Sequence, residues 1–357
     1  MRTYIKFLTL TFYKSLIFVF VVMSSLVFIL NLLSELDFFK EINVDLYFPL
    51  FLSLLNSPAL IFEMCPFIFL ITTQLFFIKL FNNNEIEVFK YSGLKNSKII
   101  LIISLISIFT GILITTLFYN FSSNSKNFYL QLKSPFTSDG KYLAVVTKNG
   151  LWIKDEINNK ILMINSSKIS ENFLIDNFIT EFNKDYTVSK NFKSAKIDIS
   201  KKEWVIYNAK IYNQNNYQIE DQINLQTNFD IKRIQSLYSN LSSLNFIQLY
   251  ELRENYKNLN YSLTEVELQI LKLMSYPIYL LLITIFGSLI MLKIKRLENT
   301  TFRIALGLFF SVIIYYINNF FLVLGSSEKI PIIFAITSPL LIFIFINIFM
   351  FNKVNEK

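Results

Sequence analysis

A chain of 357 residues that is 53% hydrophobic, carries 38 Phe and has only 17% charged residues has the composition of a membrane protein. It has no His and a single Cys, Cys65, which excludes His-based metal sites, Ser-His-Asp triads and any disulfide within the chain. None of its seven glycines opens a G-x-x-x-x-G-K-[ST] loop, and its net charge of +8 is informative only through where the charges fall.

Six apolar segments reach the roughly 20 residues that a membrane-crossing helix needs. They fall near 12–33, 59–80, 99–120, 267–292, 304–324 and 330–351. The first follows "MRTYIK" but is too long for a signal peptide and has no small-residue cleavage site, so it is expected to be retained as a helix. Basic residues gather on alternate connections: Arg2, Lys6 and Lys14, then Lys79, Lys90, Lys95 and Lys98, then Lys293, Lys295, Arg296 and Arg303, then Lys353 and Lys357. The other side shows "SELDFFKEINVD" and "SSEK", so both termini are expected in the cytoplasm.

Between the second and third spans, "NNNEIEVFKYSG" reads as a helix of barely two turns. Asn84 is placed to cap it, Glu85 and Glu87 suit its positive end, Lys90 suits the last turn and Gly93 can end it. Ile86, Phe89 and Gly93 share one side. A helix this short is not stable by itself in water, and it lies on the cytoplasmic side, so it suits a docking element better than a solvated turn.

Residues 121 to about 265 form a polar insertion with 18 basic and 15 acidic residues. "YLAVVTKNGLWIKD", "KILMIN", "FKSAKIDI" and "EWVIYNAKIY" read as short strands, with "KNG", "INNK" and "SKKE" as turns. Asn149-Gly150 before Leu151 and Trp152 is the clearest hairpin turn. Many short strands favour an antiparallel jelly roll or sandwich over an open sheet. "SSLNFIQLYELRENYKNL" reads as an amphipathic surface helix with Leu244, Ile247, Tyr250 and Leu252 inward, and Ser262 with Glu265 as a capping box for the fourth span. The expected fold is therefore six transmembrane helices with an external β domain, divided as 1–120, 121–265 and 266–357.

Ionisable residues in or near the spans, Glu63, Glu267 and Lys272, are candidates for ligand contact or for interfacial anchoring in equal measure. Lys272 suits an anionic head group at the level of the outer leaflet. Tyr315, Tyr316, Asn318 and Asn319 in "YYINNF" read as the polar core of the fifth span, with interhelical hydrogen bonding ahead of substrate contact. Trp152, Trp204 and Cys65 read as packing residues. No catalytic set or metal motif is present, which leaves an intramembrane enzyme unsupported.

On this layout the chain resembles the lipopolysaccharide export permeases of the LptF/LptG family over essentially its whole length. "NEIEVFKYSGLKNS" is similar to the family's cytoplasmic coupling segment, with Glu85 matching its acidic residue and Ser92 and Gly93 its Ser-Gly pair. "NGLWIKD" (Asn149, Gly150, Leu151, Trp152) is similar to the LptG branch, and "YYINN" followed by Pro331 and Pro339 matches the last two helices. The chain departs from the family at the outer end of helix one, where Asn31 and acids replace basic residues, which argues against phosphate contacts there. The resemblance implies a permease subunit of an ABC-type exporter, with Glu85, Ile86, Glu87, Phe89, Ser92 and Gly93 coupling to a cytoplasmic LptB-like ATPase dimer. It also implies an LptF-like heterodimer partner, an LptC/LptA-like periplasmic bridge and lipopolysaccharide as cargo. ATP and Mg would be used by the ATPase, with no cofactor on this chain and no nucleic acid partner. The lipid path would include Glu63, Lys272, Tyr315 and Asn318, and the protein would be a multi-pass bacterial inner-membrane protein with its β domain in the periplasm. The alternative is a membrane-anchored scaffold or sensor whose β domain binds a partner without transport, and it would need no ATPase.

Overall fold

Long runs of Leu, Ile, Phe and Val make six helices long and apolar enough to cross a membrane. The computed structural model describes residues 3–136, 151–157, 160–170, 172–183, 185–213, 216–231, 234, 240–258, 262–293 and 300–355. The expected hairpin turn at Asn149-Gly150 lies outside them. The spans are α1 (Thr3–Phe38), α2 (Tyr47–Asn82), α4 (Asn96–Leu113), α7 (Thr264–Lys293), α8 (Thr300–Ser326) and α9 (Ile332–Asn355). The short helix between the second and third spans is α3 (Glu85–Tyr91). A π-helical turn at Ile114–Phe118 leads from α4 directly into α5 (Tyr119–Lys133), so the third span does not stop at 120. The sequence turns polar there, but nothing in "YNFSSNSKNFYLQLK" breaks a helix.

The chain divides into two compact units, Met1–Lys126 with Thr264–Lys357, and Asn127–Leu263. In the first, α4 and α7 approach closely because Gly111 has no side chain: a Cβ there would lie 3.0 Å from Pro277 Cα. One hydroxyl bond, Ser107 Oγ to Thr284 Oγ1 at 2.8 Å, links the same pair. The prolines leave carbonyls to satisfy. Pro66 cannot donate to the Phe62 carbonyl four residues earlier, and the buried Tyr276 hydroxyl donates to it instead, at 2.5 Å.

In the second unit, six strands form one antiparallel sheet in chain order: β1 (Leu151–Ile157), β2 (Lys160–Ser170), β3 (Phe173–Phe182), β4 (Val188–Asp198), β5 (Glu203–Asn213) and β6 (Asn216–Gln226). Among the described residues the strands therefore make a single meander rather than the two packed sheets of a sandwich or jelly roll. β3 and β6 were not anticipated, since Asp, Asn and Gln interrupt their apolar pattern. Cross-strand partners Ile153, Ile164, Ile179, Phe192 and Ile211 make a buried apolar row across five strands. Leu174, Ile197 and Ile206 make a second row. Each such side chain contributes roughly 1.5–3 kcal/mol by leaving water.

The sheet is curled. After β6, the Asn228 backbone N–H and side-chain amide donate to the carboxylate of buried Asp155 on β1, at 2.9 and 2.8 Å. Six flat strands at about 4.8 Å spacing would hold these edges roughly 24 Å apart. Trp204, fully buried, donates its indole N–H to the Phe229 carbonyl in the same returning segment. α6 (Phe246–Asn258) opens on a capping box of Asn245 with Gln248, which was not anticipated from the sequence. Leu244 and Leu252 are buried as expected, but Ile247 and Tyr250 are exposed and Leu249 is buried instead.

Candidate functional site

Three features gather the residues that the sequence singles out. The first is α3. Ile86 is buried in a cluster with Leu8, Phe12, Phe76, Leu80 and Ile99, and Phe89 packs against it. The short helix is therefore held by tertiary contact, as its length requires. Its start differs from expectation. Only Asn83 and Asn84 separate it from α2, so the reversal forces Asn84 into the left-handed region at φ +55°, and its side chain makes no cap bond. The side chain of Asn83 bonds Glu85 Oε1 at 3.2 Å instead. Its end is as read: Gly93 sits at φ +80°, Gly93 N–H donates to Lys90 O at 3.0 Å and Leu94 N–H to Phe89 O at 2.8 Å, a Schellman closure.

The other side of α3 presents Glu87, Val88, Tyr91 and Ser92 to solvent, with Tyr91 92% exposed. Glu85 Oε2 is buried and has no donor. The helix thus carries an apolar pair and an orphan carboxylate oxygen on a rigid mount. Val88 and Tyr91 were missed by the sequence reading, which followed the inward face.

The second feature is a cavity of about 230 Å³ that brings together Glu63, Lys272, Tyr315 and Asn318, with Asn319 and Tyr279. Glu63 lies about 28 Å along α2 from Asn82, and Lys272 about 32 Å along α7 from Lys293. The two charges therefore lie at a similar height, about the roughly 30 Å thickness of bilayer hydrocarbon away from the helix ends next to α3. The wall beneath them is aromatic: Phe62 stacks on Tyr276 at 4.7 Å and tilts against Tyr119 at 5.0 Å. Lys126 of α5 is largely buried nearby, outside the cavity lining but close enough to be attracted by Glu63 and repelled by Lys272. It was missed because the third span was taken to end at 120. One ammonium group and one carboxylate above an aromatic floor, with Lys126 close by, give an amphipathic site.

The reading of "YYINNF" as a polar core is corrected. Tyr315 and Tyr316 are 50% and 65% exposed, and among the described residues none of the four polar side chains bonds a neighbouring helix. Tyr315 lies beside Phe67 at 6.3 Å, at the cavity edge. Glu267 is half-buried in the first turn of α7 and does not line the cavity. Asn31, at the departure noted in helix one, is buried and donates to Ser53 O at 2.9 Å while accepting from Asn56 at 3.1 Å. It joins α1 to α2 and offers nothing to a ligand.

The third feature is the buried apolar row of the β unit described above. Leu151, two residues before Ile153 on β1 and opposite Ser166, is buried, whereas Trp152 points out, 54% exposed.

A comparison with protein families matches residues 6–353 to the lipopolysaccharide export system permease LptF/LptG. No curated protein matches the chain. With nearly its whole length covered, and six membrane-crossing helices around an inserted antiparallel β unit, the chain belongs to the LptF/LptG family of lipopolysaccharide export permeases.

Proposed function

We propose that the chain is the membrane half of an ABC-type exporter that takes lipopolysaccharide, or a related glycolipid, from the outer leaflet of the inner membrane. Family membership gives the permease role in lipopolysaccharide export. The observation that carries the finer reading is the cavity that gathers Glu63, Lys272, Tyr315 and Asn318 about a bilayer's thickness away from the helix ends next to α3. Its Lys272 ammonium suits a phosphate and its aromatic floor suits the first methylenes of an acyl chain.

Two further facts support the reading. α1 and α8 are the least buried spans, and their apolar faces, including Phe18, Leu26 and Leu33 on α1 and Phe309, Phe320 and Val323 on α8, lack cover from this chain. Such faces suit a heterodimer with an LptF-like permease and a lateral entry between helices one and five. The buried row of the β unit then takes acyl chains toward an LptC/LptA-like bridge. Removal of a chain from the bilayer costs about 0.8 kcal/mol per CH₂, which an LptB-like ATPase dimer docked on α3 would supply. The LptG-like role rests on the "NGLWIKD" hairpin.

The test places a photocrosslinking amino acid at Asn318, and at exposed Phe334 of α9 as control, in native membranes. The expected result is an ATP-dependent glycolipid adduct at 318, lost in Lys272→Glu, with no ATP dependence at 334. Equal adducts at both positions, or a complex purified without an ATPase, would overturn it and favour the scaffold reading.

A further inference from the structure

A larger cavity lies elsewhere among the described residues. Beside α3, the helices α4, α7 and α9 leave a groove of about 1120 Å³, the size of a small-molecule site. Its inner walls are apolar and include Leu101, Leu105, Ile285 and Ile348. Its mouth is basic: Lys95 and Lys98 flank the start of α4, an 18-residue helix whose cap residue, Lys95, gives it no side-chain hydrogen bond. An uncapped helix start with two ammonium groups is suited to an oxyanion. In the wall, Asn347 is 5% exposed and donates to Leu282 O at 3.1 Å, while its Oδ1 is buried without a donor. Asn347 thus ties α9 to α7 at the back of the groove, and the groove itself stays open between its apolar walls.

We propose that the groove holds one anionic phospholipid of the cytoplasmic leaflet, its phosphate on Lys95, Lys98 and the start of α4, and one acyl chain along Leu101 and Leu105. The orientation follows from the basic residues, and the proposal does not depend on the exported cargo. A free anion would have no use for apolar walls that run about 10 Å from Lys98 to Leu105. A peptide segment entering at that depth would bury unpaired backbone groups. Because Phe89 and Gly93 also line the groove, the head group would touch the base of the docking helix, so lipid occupancy would bear on how firmly α3 is held.

The experiment is native mass spectrometry of the full-length protein in detergent, titrated with dioleoyl-phosphatidylglycerol or dioleoyl-phosphatidylcholine. One tightly held phosphatidylglycerol is expected, preferred about 30-fold, as two lysines near an anionic head group give. Lys95→Glu/Lys98→Glu should bring the preference close to unity. Leu105→Trp, at a 59% exposed position, should weaken both lipids equally. Equal binding of the two lipids by the wild-type chain would overturn the proposal. So would an unchanged preference in the double variant, or displacement of the lipid by inorganic phosphate. Loss of ATPase co-purification with lipid preference intact would assign the basic mouth to a protein partner and also overturn it.

Discussion

Tyr276→Phe removes one oxygen and leaves the ring that stacks on Phe62 at 4.7 Å. The oxygen donates to the Phe62 carbonyl that Pro66 leaves without its helical donor. With the hydroxyl gone, a buried carbonyl is orphaned, which costs roughly 1–3 kcal/mol in proteins generally. Hydrogen bonds inside membranes average about 0.6 kcal/mol and reach about 1.7. The expected loss is therefore about 1–2 kcal/mol, or roughly a 5- to 30-fold drop in the folding constant. The cause is tested by repeating the change in a Pro66→Ala background, where the amide N–H regained at that position can restore the helical bond. There the cost should fall below about 0.5 kcal/mol, a coupling that a double-mutant cycle resolves. Reversible unfolding in mixed micelles of increasing SDS fraction measures all four proteins. Equal costs in both backgrounds would refute the reasoning, and no cost in the first would show that the carbonyl finds another donor.

Ile86→Ala should release α3 locally, because Ile86 is the one buried residue of a helix too short to hold itself. A loss of about 2–5 kcal/mol should raise amide exchange across Glu85–Tyr91 at least 30-fold with the spans unchanged, whereas exposed Val88→Ala should not. Gly93→Ala meets nothing within 4 Å, so its cost of about 1–2 kcal/mol is purely that of φ +80°. Gly93→Asn should cost less than half of that in the same exchange measurement, and equal costs would show that space rather than backbone decides.

The six spans were legible because hydropathy over 20 residues is a coarse signal that tertiary structure does not overturn. The short helix was legible for the same residues that hold it, Ile86 and Phe89 at helical spacing with Gly93 beyond. Its cap was not, since the need to reverse the chain in two residues is set by where α2 ends. β3 and β6 escaped because their apolar pattern is interrupted; on β3 the buried positions include Asn177 and Glu181, which pack against neighbouring strands rather than being avoided. Of the four residues read as inward on the surface helix, Leu244 and Leu252 are buried; Ile247 and Tyr250, assigned from hydropathy alone, are exposed, and Leu249 is buried in their place. The cavity itself was half legible. Glu63 and Lys272 stand out as charges among apolar residues, but their shared depth follows from helix lengths, and Lys126 from a π-helical continuation that no composition rule announces.

The bond between Asp155 and Asn228 has a mechanical consequence. It ties the first strand to the segment beyond the last, so the two margins of the sheet cannot part gradually. Widening the trough means breaking two hydrogen bonds on one buried carboxylate, each charge-assisted and therefore worth more than an ordinary peptide bond pair. In the export role proposed above, this makes the β unit a catch with a threshold: slender cargo would slide beneath a closed margin, and only a bulky or strongly driven one would spring it.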